Sequence, residues 1–286
     1  MEKTIQKLKL AALALTCLLL PSAQAHSADP FKVCADPQNP PYSTKELTGY
    51  ENKIAALFAQ QLGQDLVFSW HPDRIGFIRN TLKAELEGGG YVCDVIIGLP
   101  TGSELAATTK PYLRSAYVLL IAQGRGWDDI EQPSQLASLP LQRQEQLKIA
   151  MFDRGPGTAW LQQTGLLQQG VPYQSMTGDK EHNVAMQIEQ DLRQGVIDMV
   201  ILWGPMAAYV QNQSPPSAYR ALVMQSTPQI KFDFDISMAV RQNDPARKEA
   251  LNQLIDRNRD NIQAIIASYG IISLPLTEAA PEQDKP

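Results

Sequence analysis

The sequence predicts an α/β protein in which mostly parallel sheets are flanked by helices. Short apolar runs, rich in β-branched residues, alternate with longer segments of helical periodicity along nearly the whole chain. Residues 91–98 and 196–202 are apolar with little alternation, which is typical of strands covered on both faces. The chain has 286 residues, 44% of them hydrophobic, which suffices for one large domain or two ordinary ones.

The first part of the chain contains six predicted elements. Apolar residues recur at helical spacing between Ile54 and Leu62, and Gly63 follows as a stop, so this segment is a helix. The predicted elements are a strand at 31–35, a helix at 51–62, a strand at 66–70, a helix at 74–86, and strands at 91–98 and 117–122.

The middle and the end of the chain repeat this alternation with different residues. The turn-forming Gly155-Pro156-Gly157 leads into a helix that carries Trp160 and Leu161. The polar segment 277–286 is predicted to be a disordered tail. The other predicted elements are strands at 147–152, 196–202, 219–224 and 233–240, a helix at 183–194, and one long or two short helices at 244–269.

The N-terminus has the three-part pattern of a secretory signal peptide. Three lysines precede an uncharged apolar run at residues 10–20, and Ala23-Gln24-Ala25 supplies the small residues that a signal peptidase reads. The run is shorter than the roughly 20 apolar residues that span a bilayer. The pattern predicts cleavage after Ala25, removal of residues 1–25, and export to the periplasm.

Composition and motifs exclude several classes of function. The 25 basic and 30 acidic side chains argue against a nucleic-acid binder, which needs a basic face. Three histidines and three cysteines leave little material for a metal cluster, and no metal or cofactor site is predicted. The sequence lacks Gly-x-Ser-x-Gly, His-Glu-x-x-His, a P-loop, and a Gly-x-Gly-x-x-Gly turn after a strand. We therefore expect a protein that is not an enzyme.

Two cysteines, Cys34 and Cys93, remain once the third is removed with the signal peptide. An even number of cysteines in an oxidising compartment favours a disulfide. Both lie on predicted strands, and a spacing of about 4.8 Å between neighbouring strands suits such a bridge. The alternative is a pair of buried free thiols.

Several short motifs follow one another along the mature chain. They include Val33-Cys34-Ala35-Asp36, Pro40-Pro41-Tyr42, Gly49-Tyr50-Glu51-Asn52, Lys110-Pro111-Tyr112 and Ser237-Met238-Ala239-Val240-Arg241. Their order resembles that of type 2 periplasmic binding proteins over nearly the whole mature chain. The resemblance implies two α/β lobes, with lobe I formed by residues 26–122 and 229–276 and lobe II by residues 123–228. The chain would cross twice between them at a hinge, and a ligand cleft would lie at the carboxyl ends of the strands.

A narrower resemblance is carried by segments of lobe I. Residues 76–82 (Gly-Phe-Ile-Arg-Asn-Thr-Leu), 93–100 (Cys-Asp-Val-Ile-Ile-Gly-Leu-Pro) and 108–112 (Thr-Thr-Lys-Pro-Tyr) are similar to the MxaJ/XoxJ type, found with methanol dehydrogenase. The resemblance implies a periplasmic accessory of an alcohol dehydrogenase that uses pyrroloquinoline quinone. Such an accessory would assist assembly or activation by binding the dehydrogenase, with its cytochrome c as a further candidate partner. It implies no cofactor in this chain.

Two departures from amino-acid receptors of this fold carry chemical information. Those receptors place an arginine after the third strand, and its guanidinium makes a bidentate contact with the ligand carboxylate. In this chain the segment is Thr101-Gly102-Ser103-Glu104, which ends in an acid. They also place an acid after the strand equivalent to 196–202, whereas this chain continues with Trp203-Gly204-Pro205. Both halves of a zwitterion clamp are missing, which argues against a standard amino acid as ligand.

Seven residues are candidates for the cleft or for a partner surface. Asp36 and Tyr42 follow the first strand, where they would face the cleft; a turn-forming aspartate and a packed ring are the alternatives. Glu51 begins a helix, and helix capping or dipole complementation is the alternative for this residue. The full set is Asp36, Tyr42, Glu51, Arg74, Arg154, Thr158 and Trp203.

The remaining four candidates have different expected roles. Arg74 would present a cation to a partner protein. Arg154 and Thr158 stand at a helix start, where free backbone N–H groups can bind an anion, although capping alone would explain Thr158. Trp203 follows a buried strand and would line the cleft or the hinge.

Three functions are consistent with these features. The leading hypothesis is a binding or chaperone-like accessory of a periplasmic quinoprotein dehydrogenase. The second is a solute receptor of an ABC importer, for a small molecule other than a standard amino acid. The third is an enzyme with a cleft carboxylate, Glu51 or Asp36, which is weakly supported because neither has a partner base.

Overall fold

The computed structural model describes residues 29–174 and 183–276. The predicted signal peptide and the predicted tail lie outside these residues. Within the described ranges, no helix combines the length and apolar character needed to cross a membrane.

Eleven strands form the sheets of the described chain. Nine of them join one mixed sheet, and β2 and β3 form a separate hairpin. The strands are β1 (Phe31–Ala35), β2 (Gln38–Asn39), β3 (Ser43–Thr44), β4 (Leu66–Trp70), β5 (Val95–Pro100), β6 (Ala107–Ala122), β7 (Ile149–Phe152), β8 (Gly170–Tyr173), β9 (Met199–Trp203), β10 (Tyr219–Val223) and β11 (Asp233–Val240).

Eight α-helices and two short 3₁₀ segments, at Pro133–Ser138 and Leu167–Gln169, accompany the strands in the described ranges. The helices are α1 (Tyr50–Leu62), α2 (Phe77–Asn80), α3 (Leu141–Gln144), α4 (Pro156–Gln163), α5 (Val184–Gln194), α6 (Gly204–Asn212), α7 (Pro245–Arg257) and α8 (Arg259–Ser268).

The nine-stranded sheet has two halves that meet at β6. Its order is β4-β1-β5-β11-β6-β9-β7-β8, and β10 pairs with β6 as well. Pairing is parallel from β1 to β4 and β5, and from β7 to β8 and β9. The central strands β11, β6 and β10 pair antiparallel with their neighbours. The predicted α/β class with helix-flanked sheets is confirmed, with an antiparallel centre.

Strand β6 changes partners along its 16 residues. Residues from Ala107 to Ala116 pair with β11, and those from Tyr117 onward pair with β9 and β10. The change therefore falls between Ala116 and Tyr117, within the strand and ahead of the predicted crossing near Gln123. The division into two separately moving lobes, with its boundaries, stays a prediction.

Separate cores stabilise the two halves. In the first half, α1, α7 and α8 cover the sheet with buried side chains that include Phe58, Leu254 and Ile262. In the second half, both faces of β6 and β9 are buried, Leu119 and Ile201 on one face and Leu120 and Leu202 on the other. Burial on both faces explains why the strand sequences are continuously apolar.

Most predicted elements are present, with shifted ends. The strands predicted at 66–70 and 233–240 are β4 and β11 without change, and the helix at 51–62 begins one residue earlier. The segment 244–269 forms two helices that meet at Asn258, whose side-chain amide donates to Leu254 O at 2.9 Å.

The helix predicted at 74–86 is wrong, since only Phe77–Asn80 is helical. Gly76 has φ +91°, outside the right-handed helical region. Further along, the Leu86 N–H donates to Gly90 O at 3.0 Å and not to the Leu82 carbonyl, as the i to i+4 bond of a helix would require. The Leu82 carbonyl accepts from Arg241 Nη1 at 3.2 Å. Helical spacing of apolar residues here reflects packing around the disulfide.

Arg241 connects the backbone segments around the predicted Cys34–Cys93 disulfide. Its guanidinium also donates to Cys93 O at 2.7 Å and to Asp94 Oδ1 at 2.7 Å, and it stacks on the Tyr91 ring at 3.9 Å. The residue is 7% exposed, so its charge is compensated by these partners. Arg241 therefore fixes the backbone that leads into β5.

The predicted Cys34–Cys93 disulfide is confirmed. Cys34 lies in β1 and Cys93 just before β5, and these strands pair in parallel with a Cα–Cα distance of 5.4 Å between the two cysteines. Both residues are buried.

We predict that reduction destabilises the protein by about 4 kcal/mol, because the bridge closes a loop of about 60 residues in the unfolded chain. Urea unfolding of exported protein, refolded with and without reductant, measures the difference. The control is the double variant Cys34→Ser/Cys93→Ser, whose stability should not respond to reductant. A wild-type midpoint that is unchanged by reduction would contradict the prediction.

Candidate binding cleft

A cavity of about 490 Å³ lies where the two halves of the sheet meet. The ends of β1 and β5 contribute from the first half, and Tyr117, Phe152 and Trp203 contribute from the second. Its walls carry both carboxylates and aromatic rings. This is the position at which the family resemblance places a ligand cleft.

Three carboxylates line the cavity, those of Asp36, Glu51 and Asp73. Asp36 Oδ1 accepts from the Gln38 backbone N–H at 2.7 Å, and its Oδ2 accepts from the Asp73 N–H. Asp36 is thus both a turn-forming aspartate and a cleft residue. Among the described residues, no group of three potential ligands is arranged to hold a metal ion.

Glu51 projects from the first turn of α1 toward β5, although its sequence position suggested capping. The capping contact belongs to Asn52, whose Oδ1 accepts from Gly49 N at 3.1 Å and from Thr44 N at 3.0 Å. Glu51 Oε1 instead occupies space above Gly98, where any Cβ would lie 2.1 Å from it. Tyr50 OH donates to the same oxygen at 3.3 Å.

Burial, with a smaller contribution from the nearby Asp73 carboxylate, raises the pKa of Glu51 to about 8, and the Tyr50 hydroxyl acts in the opposite direction. Desolvation, with a contribution from Asp36, raises the pKa of Asp73 to about 6. Asp73 keeps much of its surface exposed to water, whereas Glu51 is more buried. At neutral pH Glu51 is therefore mainly the protonated acid.

An aromatic triad of Tyr117, Trp203 and Phe234 forms one wall of the cavity. The ring centroids lie 5.4 Å apart for Tyr117 and Trp203, 5.9 Å for Trp203 and Phe234, and 6.3 Å for Tyr117 and Phe234, all tilted or edge-to-face. Tyr42 links this wall to the carboxylates. Burial raises the pKa of its phenol, and Glu51, Tyr117 and Asp73 add to that rise.

A hydrogen bond joins the two halves beside the cavity. Asn183 caps α5 through Oδ1, which accepts from Ala185 N at 2.7 Å, and its Nδ2 donates to Asn39 Oδ1 at 2.9 Å on the β2–β3 hairpin. Asn39 and Asn183 both line the cavity.

The structure brings together four of the seven predicted site residues: Asp36, Tyr42, Glu51 and Trp203 line the cavity. Arg74 is exposed on the segment between Asp73 and α2 and does not line it. Arg154 and Thr158 line a second, open cavity at the start of α4, where Thr158 Oγ1 donates to the Phe152 carbonyl. The functional roles of all seven stay predictions.

Sequence reasoning missed Asp73, Tyr117 and Phe234. Asp73 follows His71-Pro72 in a segment that was predicted to enter a helix. Tyr117 and Phe234 were interpreted as ordinary strand residues, and the register of β6 with β9 and β11 brings their rings beside Trp203. The sequence showed that Trp203 and Phe234 lie near the ends of strands, but it did not show that their rings and that of Tyr117 meet.

The positions of the missing zwitterion clamp are occupied by other contacts. Thr101 Oγ1 and Ser237 Oγ share a hydrogen bond of 2.7 Å, and Gly204-Pro205 begins α6. Of the described residues that line the cavity, none is a lysine or an arginine. A ligand carboxylate would therefore meet acids and rings in this part of the cleft.

Comparison with known proteins identifies the relatives of this chain. It is 28% identical over 277 residues to the protein MoxJ of Methylorubrum extorquens, covering 90% of this chain and 87% of that protein. The crystal structure of the periplasmic binding protein XoxJ from Methylobacterium extorquens AM1 superposes with a TM-score of 0.68 at 30% identity, covering 86% of this chain and 99% of XoxJ. MxaJ from Methylophaga aminisulfidivorans has the same fold, with a TM-score of 0.68 at 21% identity over 85% of this chain and all of MxaJ. No family model matches the sequence.

A cleft lined from both halves of this sheet, in a fold shared with solved binding proteins, defines a type 2 periplasmic binding protein. Within that class the chain belongs to the MxaJ/XoxJ type, as its identity to XoxJ over most of both chains shows. Both resemblances inferred from the sequence are confirmed.

We predict that Glu51→Gln makes the protein more stable than wild type above pH 8, with little difference at pH 5. A carboxyl whose pKa rises from 4.5 to about 8 on folding makes the folded state lose stability as pH increases through that window. The loss is at most about 1.4 kcal/mol per pH unit, and the amide removes it. Urea unfolding at pH 5, 7 and 9 measures the effect, with the exposed Glu46→Gln as control. A constant difference across this range would contradict it.

We also predict that no standard α-amino acid binds tightly. The cavity offers no basic side chain from the described residues, and an unpaired buried carboxylate costs several kcal/mol, which is enough to abolish micromolar affinity. Isothermal titration calorimetry against the twenty amino acids is the measurement. Submicromolar affinity for any of them would show that a clamp exists elsewhere.

Proposed function

We propose that this protein is an accessory of a periplasmic alcohol dehydrogenase that uses pyrroloquinoline quinone, with methanol as the substrate class of the system. It would assist assembly or activation of the dehydrogenase by protein binding and would not be an enzyme. The observation that carries the proposal is membership of the MxaJ/XoxJ type over most of the chain. Periplasmic relatives and the disulfide support an exported protein.

The cleft chemistry supports a role other than amino-acid capture. In amino-acid receptors of this fold an arginine binds the ligand carboxylate and an acid binds the ligand ammonium group. This chain has the segment Thr101 to Glu104 in place of the arginine and Trp203 to Pro205 in place of the acid. The cavity itself favours the second candidate, a solute receptor of an ABC importer, since about 490 Å³ can hold a small molecule. A receptor and an accessory differ in their protein partners, and this difference makes them separable by experiment.

One surface beside the cleft is suited to a protein partner. Ile75 is 88% exposed, the highest value among the large hydrophobic residues of the described chain, and it lies between the cavity residues Asp73 and Phe77. Arg74 and Arg79 flank it and are also exposed. Since the chain carries a net charge of −5, these two cations supply local charge complementarity to an acidic partner. We propose this segment, residues 74–79, as the contact with the dehydrogenase.

We predict that deletion of the gene lowers alcohol dehydrogenase activity and quinone occupancy in periplasmic extracts, and that the tagged protein captures the dehydrogenase. The expected partners are the dehydrogenase and, in a larger complex, its cytochrome c. Fully loaded and active dehydrogenase in the deletion strain, with capture of an importer permease instead, would support the transport function.

The contact surface has its own matched test. Ile75→Asp should weaken capture of the dehydrogenase at least tenfold, because loss of an anchor residue at an interface centre costs about 2 kcal/mol or more, and tenfold corresponds to about 1.4 kcal/mol. Leu141→Asp is the control, because Leu141 is also an exposed apolar residue, at 70%, and it lies on α3, outside the segment 74–79. Equal capture by the two variants would place the contact elsewhere.

A further inference from the structure

We propose that the cleft binds a small organic cation, an alkylammonium or quaternary ammonium ion, between its aromatic triad and the Glu51 carboxylate. This inference goes beyond the accessory function and does not depend on it. It rests on three features of the cavity: its rings, its charges, and the absence of a basic side chain among the described residues that line it.

The rings of Tyr117, Trp203 and Phe234 line one cavity and pack on one another at interplanar angles of 56°, 66° and 73°. A ring face that this packing leaves open to the cavity can attract an ammonium group by cation–π interaction. One of these rings already has a cation beside it, since Lys231 Nζ lies 4.9 Å from the centroid of Phe234.

The charges of the lining select for a cation. Asp36, Glu51 and Asp73 are the ionisable acids, and the Asp36 carboxylate is occupied by two backbone N–H donors. Glu51 is the acid placed for a ligand, because its carboxyl stands over Gly98 and has the weak Tyr50 hydroxyl contact at 3.3 Å. Two bases lie near Phe234 in sequence or space. Arg114 pairs with Asp233, and Lys231, whose Nζ lies over the Phe234 ring, helps to lower the pKa of the same aspartate.

Binding of a cation should be coupled to release of a proton. The groups that interact with Glu51 are Tyr50 of its own helix, Tyr42 before it, Tyr112 of β6, and Asp73. Asp36 lines the same cavity and acts on Asp73. The tyrosines are neutral at pH 9 because burial raises the pKa of each phenol. Since the pKa of Glu51 is about 8, a cation that requires its ionised form gains affinity as the pH rises to that value.

The test on the wild-type protein compares matched ligands by calorimetry. The first pair compares the affinity of choline with that of 3,3-dimethylbutan-1-ol (dimethylbutanol below), in which an uncharged carbon replaces the nitrogen. The difference in affinity measures the effect of the positive charge. The second pair compares the affinity of pentylammonium with that of norleucine, which has the same carbon chain and ammonium group and adds a carboxylate. The difference in affinity measures the effect of that carboxylate. We expect each cation to bind at least tenfold more tightly than its partner at pH 8.5. We also expect its affinity to rise by up to tenfold per pH unit between pH 6.5 and 8, and to level off above.

Variants locate the site. Glu51→Gln should lower choline affinity at least tenfold at pH 8.5 and remove most of the pH dependence, and Trp203→Leu should weaken binding at every pH. Glu46→Gln is the matched control outside the cavity, with circular dichroism to verify folding. Equal affinity for choline and dimethylbutanol, or no binding of either cation from pH 6.5 to 9, would overturn the proposal without recourse to any variant. So would unchanged affinity in a folded Glu51→Gln protein.

Discussion

A single long strand determines the geometry on which the cleft depends. Strand β6 is hydrogen-bonded to β11 through its first part and to β9 and β10 through its second, so both halves of the sheet share one backbone. Tyr117 stands at the change of partner and Tyr112 lies five residues before it, inside the first core. The relative position of the two halves is therefore set by backbone pairing, and the side chains that meet at the junction become the walls of the cavity.

Within those walls, the placement of one acid depends on the absence of one side chain. Gly98 has no Cβ, and the space that a Cβ would take is filled by the Glu51 carboxyl. Asn52 performs the capping contact that would otherwise be available to its neighbour. Two adjacent residues of α1 thus have different tasks: one anchors the helix start, and the other faces the cleft with a desolvated carboxyl.

The alternation of strands and helices could be predicted from local periodicity, because β4, α1 and β11 each carry their own apolar pattern and stop signals. The helix expected at 74–86 is shorter because Gly76 lies outside the right-handed helical region and the Leu86 N–H donates to Gly90 O. The Leu82 carbonyl accepts from Arg241, 159 residues further along, and no local pattern contains that contact. The same distinction applies to the site. Asp36, Tyr42, Glu51 and Trp203 could be selected because they follow strands or open a helix, whereas Asp73 and Phe234 enter the cavity through tertiary register that no local pattern contains.

The disulfide also makes one wall of the cavity sensitive to redox conditions. Cys34 lies in the cavity wall, and its bridge to Cys93 joins β1 to the segment that leads into β5. In a reducing compartment the two sulfurs would remain thiols, and β5 would lose its covalent tie to β1. The parallel hydrogen bonds between these strands would then hold the wall alone. The rigidity of the cleft therefore depends on the chemical surroundings of the protein as well as on its sequence.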